Sequence, residues 1–470
     1  MTTRPTRSDL GFSVALFVVA LLPRLFVAIA WAREPVWDGH YYHFGAERIA
    51  QGLGYSEDVV IGGQAVWKPW CHYPVGYSAW LGLLYRVLGS DLLVAPVAGA
   101  LVGALTALLV HRLALFGLSP TRARVAGALA ALHPGLIAYS ALVMTEGLAA
   151  GLLLLAPWVY LRLRQRVLLA TVVAGFVFGL AALVRPSSLL AVPLLGLLAS
   201  GTVPRRGLVA LGALAMALVT VLPWTVRNCR VMDGCALIST NGGWNLAIGA
   251  LTETGRFQTL RAEDGCPIVT GQVQQDRCWA SIGRRRIAEA PGRWLALVPK
   301  KLSHTFDHES FPVEYLRQAN RAAWPEERRV AGRRLLTFAH RGLLVAASLS
   351  VVAWAFSRRH RREQRTGQGV ALGLLVLLAL YAILSVEHPF FWLVVAAPLL
   401  ATLPLPGRPR LGGAVRYALG SLAVTAATHA IFFGEDRYHM VISPLLCLLA
   451  AAGLRRPGSG VTSAETTVSS

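Results

Sequence analysis

Blocks of about 20 nearly unbroken apolar residues recur along this chain, and at 1.5 Å of rise per residue each is the length of a bilayer's hydrocarbon core. Such a block must satisfy its backbone hydrogen bonds internally, which a helix does and an isolated strand does not. Composition agrees. Of 470 residues, 55% are hydrophobic and 15% charged, against about 25% charged in a soluble domain, and the mean hydropathy is +0.52. The pattern predicts an all-α polytopic membrane protein.

The expected spans are 10–31, 92–115, 125–139, 146–161, 167–184, 188–200, 208–224, 335–355, 370–385, 390–403, 411–433 and 440–454. That is about twelve transmembrane helices, provided that 77–88 lies in the interface. The arginines favour this arrangement. Arg4 and Arg7, Arg112/Arg122/Arg124, Arg162/Arg164/Arg166, Arg205/Arg206, the run SRRHRREQR at 357–365, Arg408/Arg410 and Arg455/Arg456 then all lie on one side. By the positive-inside rule that side, with both termini, is cytoplasmic. The net charge of +21 is thereby a topology signal and a match to anionic head groups, and nucleic acid is not expected as a partner.

Four regions follow: a membrane module 1–224 containing a first outer loop 32–88, an outer-face subdomain 225–334, a second membrane module 335–456, and a disordered tail 457–470 rich in Ser and Thr. The first loop opens with Asp38 in an aromatic, amphipathic stretch. A Gly-rich turn and a second aromatic, amphipathic stretch from Tyr73-Pro74 follow, both read as interfacial helices. In the subdomain, Asn-Gly and Gly-Gly mark turns ahead of Trp244. Its basic and apolar stretch 282–306 is broken by Pro291 and Pro299 into short helices, suited either to head groups or to water. Cys229, Cys235, Cys266 and Cys278 all fall there; four cysteines allow three pairings, of which 229–235 with 266–278 is the simplest.

With this topology, Asp38, Glu146, Arg185, Glu387, His388 and the GEDRYH run 434–439 reach the same outer face from separate loops. Ionisable groups at such depth tend to face a site or one another. Moving a sugar from a lipid-linked phosphate to a hydroxyl needs a carboxylate to take the acceptor proton, cations to hold the departing phosphate, and an apolar groove for the lipid. Asp38 suits the first task. Arg185 and Arg437 suit the second, since arginine stays charged and grips phosphate bidentately. Trp37, Tyr41 and Tyr42 suit an aromatic belt equally well.

At these residues the chain resembles the GT-C membrane glycosyltransferases. It is similar to glycosyltransferase family 39, the protein O-mannosyltransferases, and to the bacterial aminoarabinose and lipopolysaccharide-core sugar transferases. The resemblance rests on Asp38, Tyr42, Ala46, GLGY at 52–55 and YPVGY at 73–77. HPGLIAYSALVMTEGLA with Glu146, LVRPSS with Arg185, PWTVRN, STNGGWNLAIG and GEDRYHMVISPLL follow in order, so that it spans 13–454. It implies an inverting transfer on the outer face, a polyprenyl-phosphate-linked sugar as donor, and a lipid, glycan or protein as acceptor. It further implies Asp38 and Glu146 as catalytic acids and Arg185, Arg437 and Tyr438 at the donor phosphate. His40, Tyr42, Tyr73, Asn241, Trp244 and Asn245 are expected to line the cavity. No cofactor is expected; the lone Asp38 argues against a divalent metal, Glu146 or His40 being the further ligands on offer.

The sequence departs from the family at three places. Gly39 stands where protein mannosyltransferases carry Glu, which disfavours a protein acceptor. Their β-rich insertion has no counterpart here. His72 and Tyr73 replace the Glu-Lys pair of the aminoarabinose transferases, and Lys68 lies out of register with that lysine. The rival class is a transporter or flippase of lipid-linked sugars, which would favour broken helices and charges at mid-membrane. A scaffold that keeps the fold without activity is the third. The helices read as intact and the charges lie at one surface, which favours the enzyme.

Overall fold

A computed structural model describes residues 7–267, 271–357, 391–402 and 411–453. The expected span 370–385, nearly all of the basic run 357–365, Arg4, Glu387, His388, Arg408, Arg410, Arg455, Arg456 and the tail 457–470 lie outside the described residues.

The first helix, Arg7–Ala30, shows how the membrane modules are built. Leu10, Val14, Val18, Leu22, Phe26 and Ile29 form its exposed stripe, while Leu16, Ala20, Arg24 and Val27 face inward. The inward faces of its neighbours Val94–Ala114 and Pro120–Leu132 are rich in alanine, among them Ala100, Ala104, Ala107, Ala123, Ala126 and Ala130. Lipid tails are as apolar as leucine, so helices in a bilayer gain by close approach, which small residues permit. Arg24 is an instructive exception. Helix Pro120–Leu132 ends just before Pro134, which has no N–H to give the carbonyl of Ala130. Arg24 donates instead, to the carbonyls of Ala130 (2.9 Å) and Ala131 (2.7 Å).

Six described helices are long and apolar enough to cross a membrane: Asp9–Ala30, Val94–Ala114, Thr145–Leu163, Val167–Val184, Val203–Val231 and Glu326–Ala353. Three further apolar helices, Pro186–Leu197, Trp392–Ala401 and Ser443–Ala452, are shorter. The expectation of about twelve uniform spans is thus met only in part. The stretch 125–139 divides into Pro120–Leu132, Pro134–Ala138 and a 3-10 turn Tyr139–Ala141. The stretch 188–200 is a 3-10 helix, Pro186–Leu197, with Pro186 and Pro193 inside it. In both places a missing N–H breaks an α-helical ladder that hydropathy alone reads as continuous.

The all-α expectation needs a second correction, in the first loop. Helix Asp38–Ala50 is followed by an antiparallel hairpin, Ser56–Ile61 with Gln64–Pro69, before helix Val75–Leu88. Ile61 pairs with Gln64, so the turn is Gly62-Gly63, at φ of 59° and 83°. A two-residue turn with both φ positive matches the twist of a hairpin, and glycine enters it without steric cost. Helix Val75–Leu88, expected in the interface, is 14 residues long.

Within 225–334 lie the short helices Gly242–Leu251, Gln272–Glu289, Pro291–Ala296, Val298–Phe306 and Phe311–Ala319, Pro291 and Pro299 dividing the stretch 282–306 as expected, while the long helices Val203–Val231 and Glu326–Ser357 run across the two ends of the region. Cys229 pairs with Cys235 and Cys266 with Cys278, and Cys71 and Cys447 are buried free thiols.

Candidate active site

Asp38 begins helix Asp38–Ala50, so its carboxylate lies at the positive end of the helix dipole. The residue before it, Trp37, is the one non-glycine with positive φ among the described residues (51°), a strained conformation at this point in the chain. The rings of Phe311 and Tyr315, at 5.5 and 5.9 Å, hold Trp37 there. Gly39 is equally constrained. A Cβ on it would run into the hydroxyl of Tyr315 and the carbonyl of Val143. The glycine that departs from the mannosyltransferase pattern is therefore required by packing in this protein.

Two partners hold the Asp38 carboxylate. The Tyr73 hydroxyl donates to one oxygen at 2.7 Å, and the Arg437 guanidinium donates to the other at 2.5 Å, across 399 positions of sequence. Burial alone raises this carboxyl, but the charge of Arg437 and the hydrogen bonds from Tyr73 and Arg437 outweigh it and hold the group below its ordinary value. Tyr73 itself is pushed well above the ordinary phenol, by burial first and by the neighbouring carboxylate second.

A second pair stands beside the first. Glu146, in the first turn of helix Thr145–Leu163, is 1% exposed and accepts from Arg185 at 2.9 Å. Arg185 is where helix Val167–Val184 stops, because Pro186 follows and forces extended backbone at φ −143°. It also donates to the hydroxyl of Thr145 at 3.2 Å. The Tyr438 ring joins the two pairs: the guanidinium carbons of Arg185 and Arg437 lie 5.4 and 5.2 Å from its centroid, and His429 stacks on it at 4.2 Å. The result is a row of acid, arginine, aromatic ring, arginine and acid, with both arginines already engaged.

Asp436 fixes the approach of Arg437. It accepts from the backbone N–H and hydroxyl of Ser310 (2.5 and 2.7 Å) and from the N–H of Phe311 (2.9 Å), at the start of helix Phe311–Ala319. A carboxylate there satisfies the free N–H groups of that helix, and Phe311 in turn lies 5.2 Å under the Arg437 guanidinium. Sequence reasoning singled out neither Asp436, Phe311, Tyr315 nor Thr145 as parts of the site. Asp436 stood in the GEDRYH run and Thr145 beside Glu146 in HPGLIAYSALVMTEGLA, while Phe311 and Tyr315 carried no local signal.

The remaining expected cavity residues divide. Tyr42 is buried and meets the rings of Tyr73 and Tyr77 edge-on, both at 5.4 Å. Trp244 reaches the cluster through His72, at 5.9 Å, which meets Tyr73 at 5.0 Å. His40 is exposed and stacks on Phe44, one turn along its own helix. Asn241 accepts from the hydroxyl of Ser239 at 2.9 Å, and Asn245 is half-buried on the following turn. Among the described residues, no group of three or more His, Cys, Asp or Glu is placed to hold a metal ion.

Residues 72–226 match the family model described as dolichyl-phosphate-mannose-protein mannosyltransferase. The matched segment contains Tyr73, Glu146 and Arg185; Asp38, Arg437 and Tyr438 lie beyond it. No curated relative matches the chain. Among solved structures, the apo oligosaccharyltransferase of Archaeoglobus fulgidus is similar over 93% of this chain and 50% of that one, at 14% identity and a TM-score of 0.47. The archaeal oligosaccharyltransferase AglB of the same organism, in complex with an inhibitory peptide and a dolichol-phosphate, is similar over 95% and 50%, at 13% identity and a TM-score of 0.42. The chain spans about half the length of these structures.

Proposed function

We propose that this protein is an inverting glycosyltransferase. It moves a sugar from a polyprenyl-phosphate-linked donor to a hydroxyl acceptor at the outer face of a bacterial-type inner membrane, both termini being cytoplasmic. The observation that carries the reading is the row Asp38–Arg437–Tyr438–Arg185–Glu146, with its 2.5 and 2.9 Å ion pairs. The family match over 72–226 supports it, since that family is named for a dolichyl-phosphate-linked sugar donor.

In this mechanism the donor phosphate enters between the two arginines and draws Arg437 off Asp38. Asp38 then regains basicity only when a donor is present. The acceptor oxygen attacks the anomeric carbon, and the bond from that carbon to the phosphate oxygen breaks with its electron pair on the phosphate. The acceptor proton passes to Asp38. Arg185 and Arg437 stabilise the charge growing on the leaving phosphate. Glu146 keeps Arg185 aimed, and Tyr73 keeps the Asp38 carboxylate oriented.

The test uses the full-length protein in nanodiscs, radiolabelled sugars on short polyprenyl phosphates, and a membrane extract as the acceptor source. Label appearing in a new product supports transfer, and the product names the acceptor class. Labelled donor that crosses a proteoliposome membrane unchanged, with no product formed, would instead indicate a flippase.

A further inference from the structure

Residues 252–257, TETGRF, form a strap over the segment 433–436, which leads directly into Arg437. The Gly434 N–H donates to the carbonyl of Gly255 at 2.9 Å, and the Phe257 N–H donates to the Glu435 carboxylate at 3.2 Å. His304 Nε2 meets the carbonyl of Thr254 at 3.1 Å, and the Arg256 guanidinium meets His308 Nε2 at 3.1 Å. Strap and segment share one support. A Cβ on Gly255, whose φ is 86°, would press on Lys301 at 3.2 Å, and one on Gly434 would run into the Lys301 carbonyl. Both glycines therefore lie against helix Val298–Phe306.

The proton inventory separates the histidine tethers. A carbonyl only accepts, so His304 Nε2 donates to Thr254, which it can do whether neutral or charged. A guanidinium only donates, so His308 Nε2 accepts from Arg256, and His308 is neutral with its proton on Nδ1. The same nitrogen stands 3.8 Å from Asp436 Oδ2, beyond hydrogen-bond range. A proton on that nitrogen would set two donors and two positive charges against each other at the Arg256 tether. Asp436 would then be the nearby acceptor.

We propose that His308 is a proton-operated latch: neutral, it holds the strap 252–257 down through Arg256, and protonated, it turns to Asp436 and lets the strap go. Open, the strap uncovers the segment that delivers Arg437 to Asp38. Burial first, and Arg256 as well, keep His308 below the ordinary imidazole range, against the pull of Asp436 and Asp307. Release removes Arg256 and admits water, so the open form binds the proton more readily and acid drives opening. His304, His340 and His439 also face His308, and Arg341 engages Asp307. His304 is itself held down to about 4, by burial first, so its release acts in the same direction. Glu435 acts in the opposite one. Burial raises it, and uncovering it in acid would cost its proton.

Hydrogen–deuterium exchange on the full-length protein in nanodiscs, corrected for the intrinsic rate at each pH, tests the latch. Peptides covering 252–257 and 433–436 should exchange about tenfold faster at about pH 5 than at about pH 7.5. His308→Gln keeps an acceptor for Arg256 and does not titrate, so the rise should shrink to about twofold, the remainder coming from His304. Arg256→Met removes the tether, and its exchange should already be fast at the higher pH. Glu435→Gln should keep the rise or enlarge it. A wild-type rate that does not change with pH, or a rise of equal size in His308→Gln, would overturn the latch. So would a rise lost in Glu435→Gln, which would move the titration to that carboxylate. The measurement needs neither donor nor acceptor, so its failure leaves the transfer reading untouched.

Discussion

Arg437 and His439 are two residues apart, and each faces a carboxylate, yet their surroundings make them opposites. The Arg437–Asp38 pair is half-buried, with side chains 19% and 20% exposed. The His439–Glu309 pair, at 2.7 Å, is 0% exposed on both sides. Asp38 is held below its ordinary value by its guanidinium and by Tyr73. For Glu309 burial is the larger effect, and it is pushed up to about 7 in spite of His439. The hydrogen bonds agree with that. His439 donates Nδ1–H to the carbonyl of Thr305 at 2.8 Å, which leaves one proton to lie between its Nε2 and Glu309. The other Glu309 oxygen has no hydrogen-bond partner among the described residues. A permanently charged partner keeps a half-buried carboxylate ionised. A titratable partner inside the core makes a shared proton that fixes the chain.

This contrast can be broken from either side. His439→Ala leaves Glu309 buried beside an unfilled space, and we expect a loss of about 3 kcal/mol in thermal or denaturant unfolding, with the remaining folded protein still binding donor. Arg437→Met is expected to leave unfolding nearly unchanged but to lower transfer by about 10²- to 10³-fold, since it removes a cation from the leaving phosphate. A large unfolding change in Arg437→Met together with a small one in His439→Ala would reverse the comparison. Tyr73→Phe takes one hydrogen bond from Asp38 and should cost about tenfold in transfer. The acid limb of its pH–rate profile should move upward, because a carboxylate with fewer donors protonates at higher pH. A limb that stays in place would remove Tyr73 from the account of Asp38.

The smallest effect is one of slope. Folded Glu309 keeps its proton up to about pH 7, while in the unfolded chain it gives the proton up near 4.5. The folded state thus binds more protons in that interval, and this residue's contribution to stability falls as pH rises from 4.5 to 7. Glu309→Gln keeps a group able to bond His439 and should flatten that part of the stability–pH curve relative to wild type. Identical slopes in the two proteins would mean that Glu309 is charged throughout.

The membrane class and the first-loop helices were legible because each is a local pattern of hydropathy or of Gly and Pro, whereas the Gly-Gly pair read as a turn before Trp244 opens helix Gly242–Leu251. That Asp38, Glu146, Arg185 and Arg437 come together was legible in the motif order. Which acid meets which arginine was not: Arg437 crosses 399 positions to reach Asp38, and nothing near either residue encodes that. Both arginines were read as free phosphate ligands, whereas each is engaged by a carboxylate. The first-loop hairpin escaped notice because two six-residue strands yield a weak signal beside long apolar blocks. The Glu309–His439 pair escaped because a buried acid in a polar loop looks like any solvated one.

The most direct measurement is single-turnover transfer by Asp38→Asn with donor binding followed in the same preparation. The account predicts that transfer falls by at least about 10³-fold, as expected on removing the group that takes the acceptor proton. Donor binding should stay within a few-fold of wild type or tighten, because Arg437 is released to the phosphate. Transfer at the wild-type rate with Asn at position 38 would contradict it.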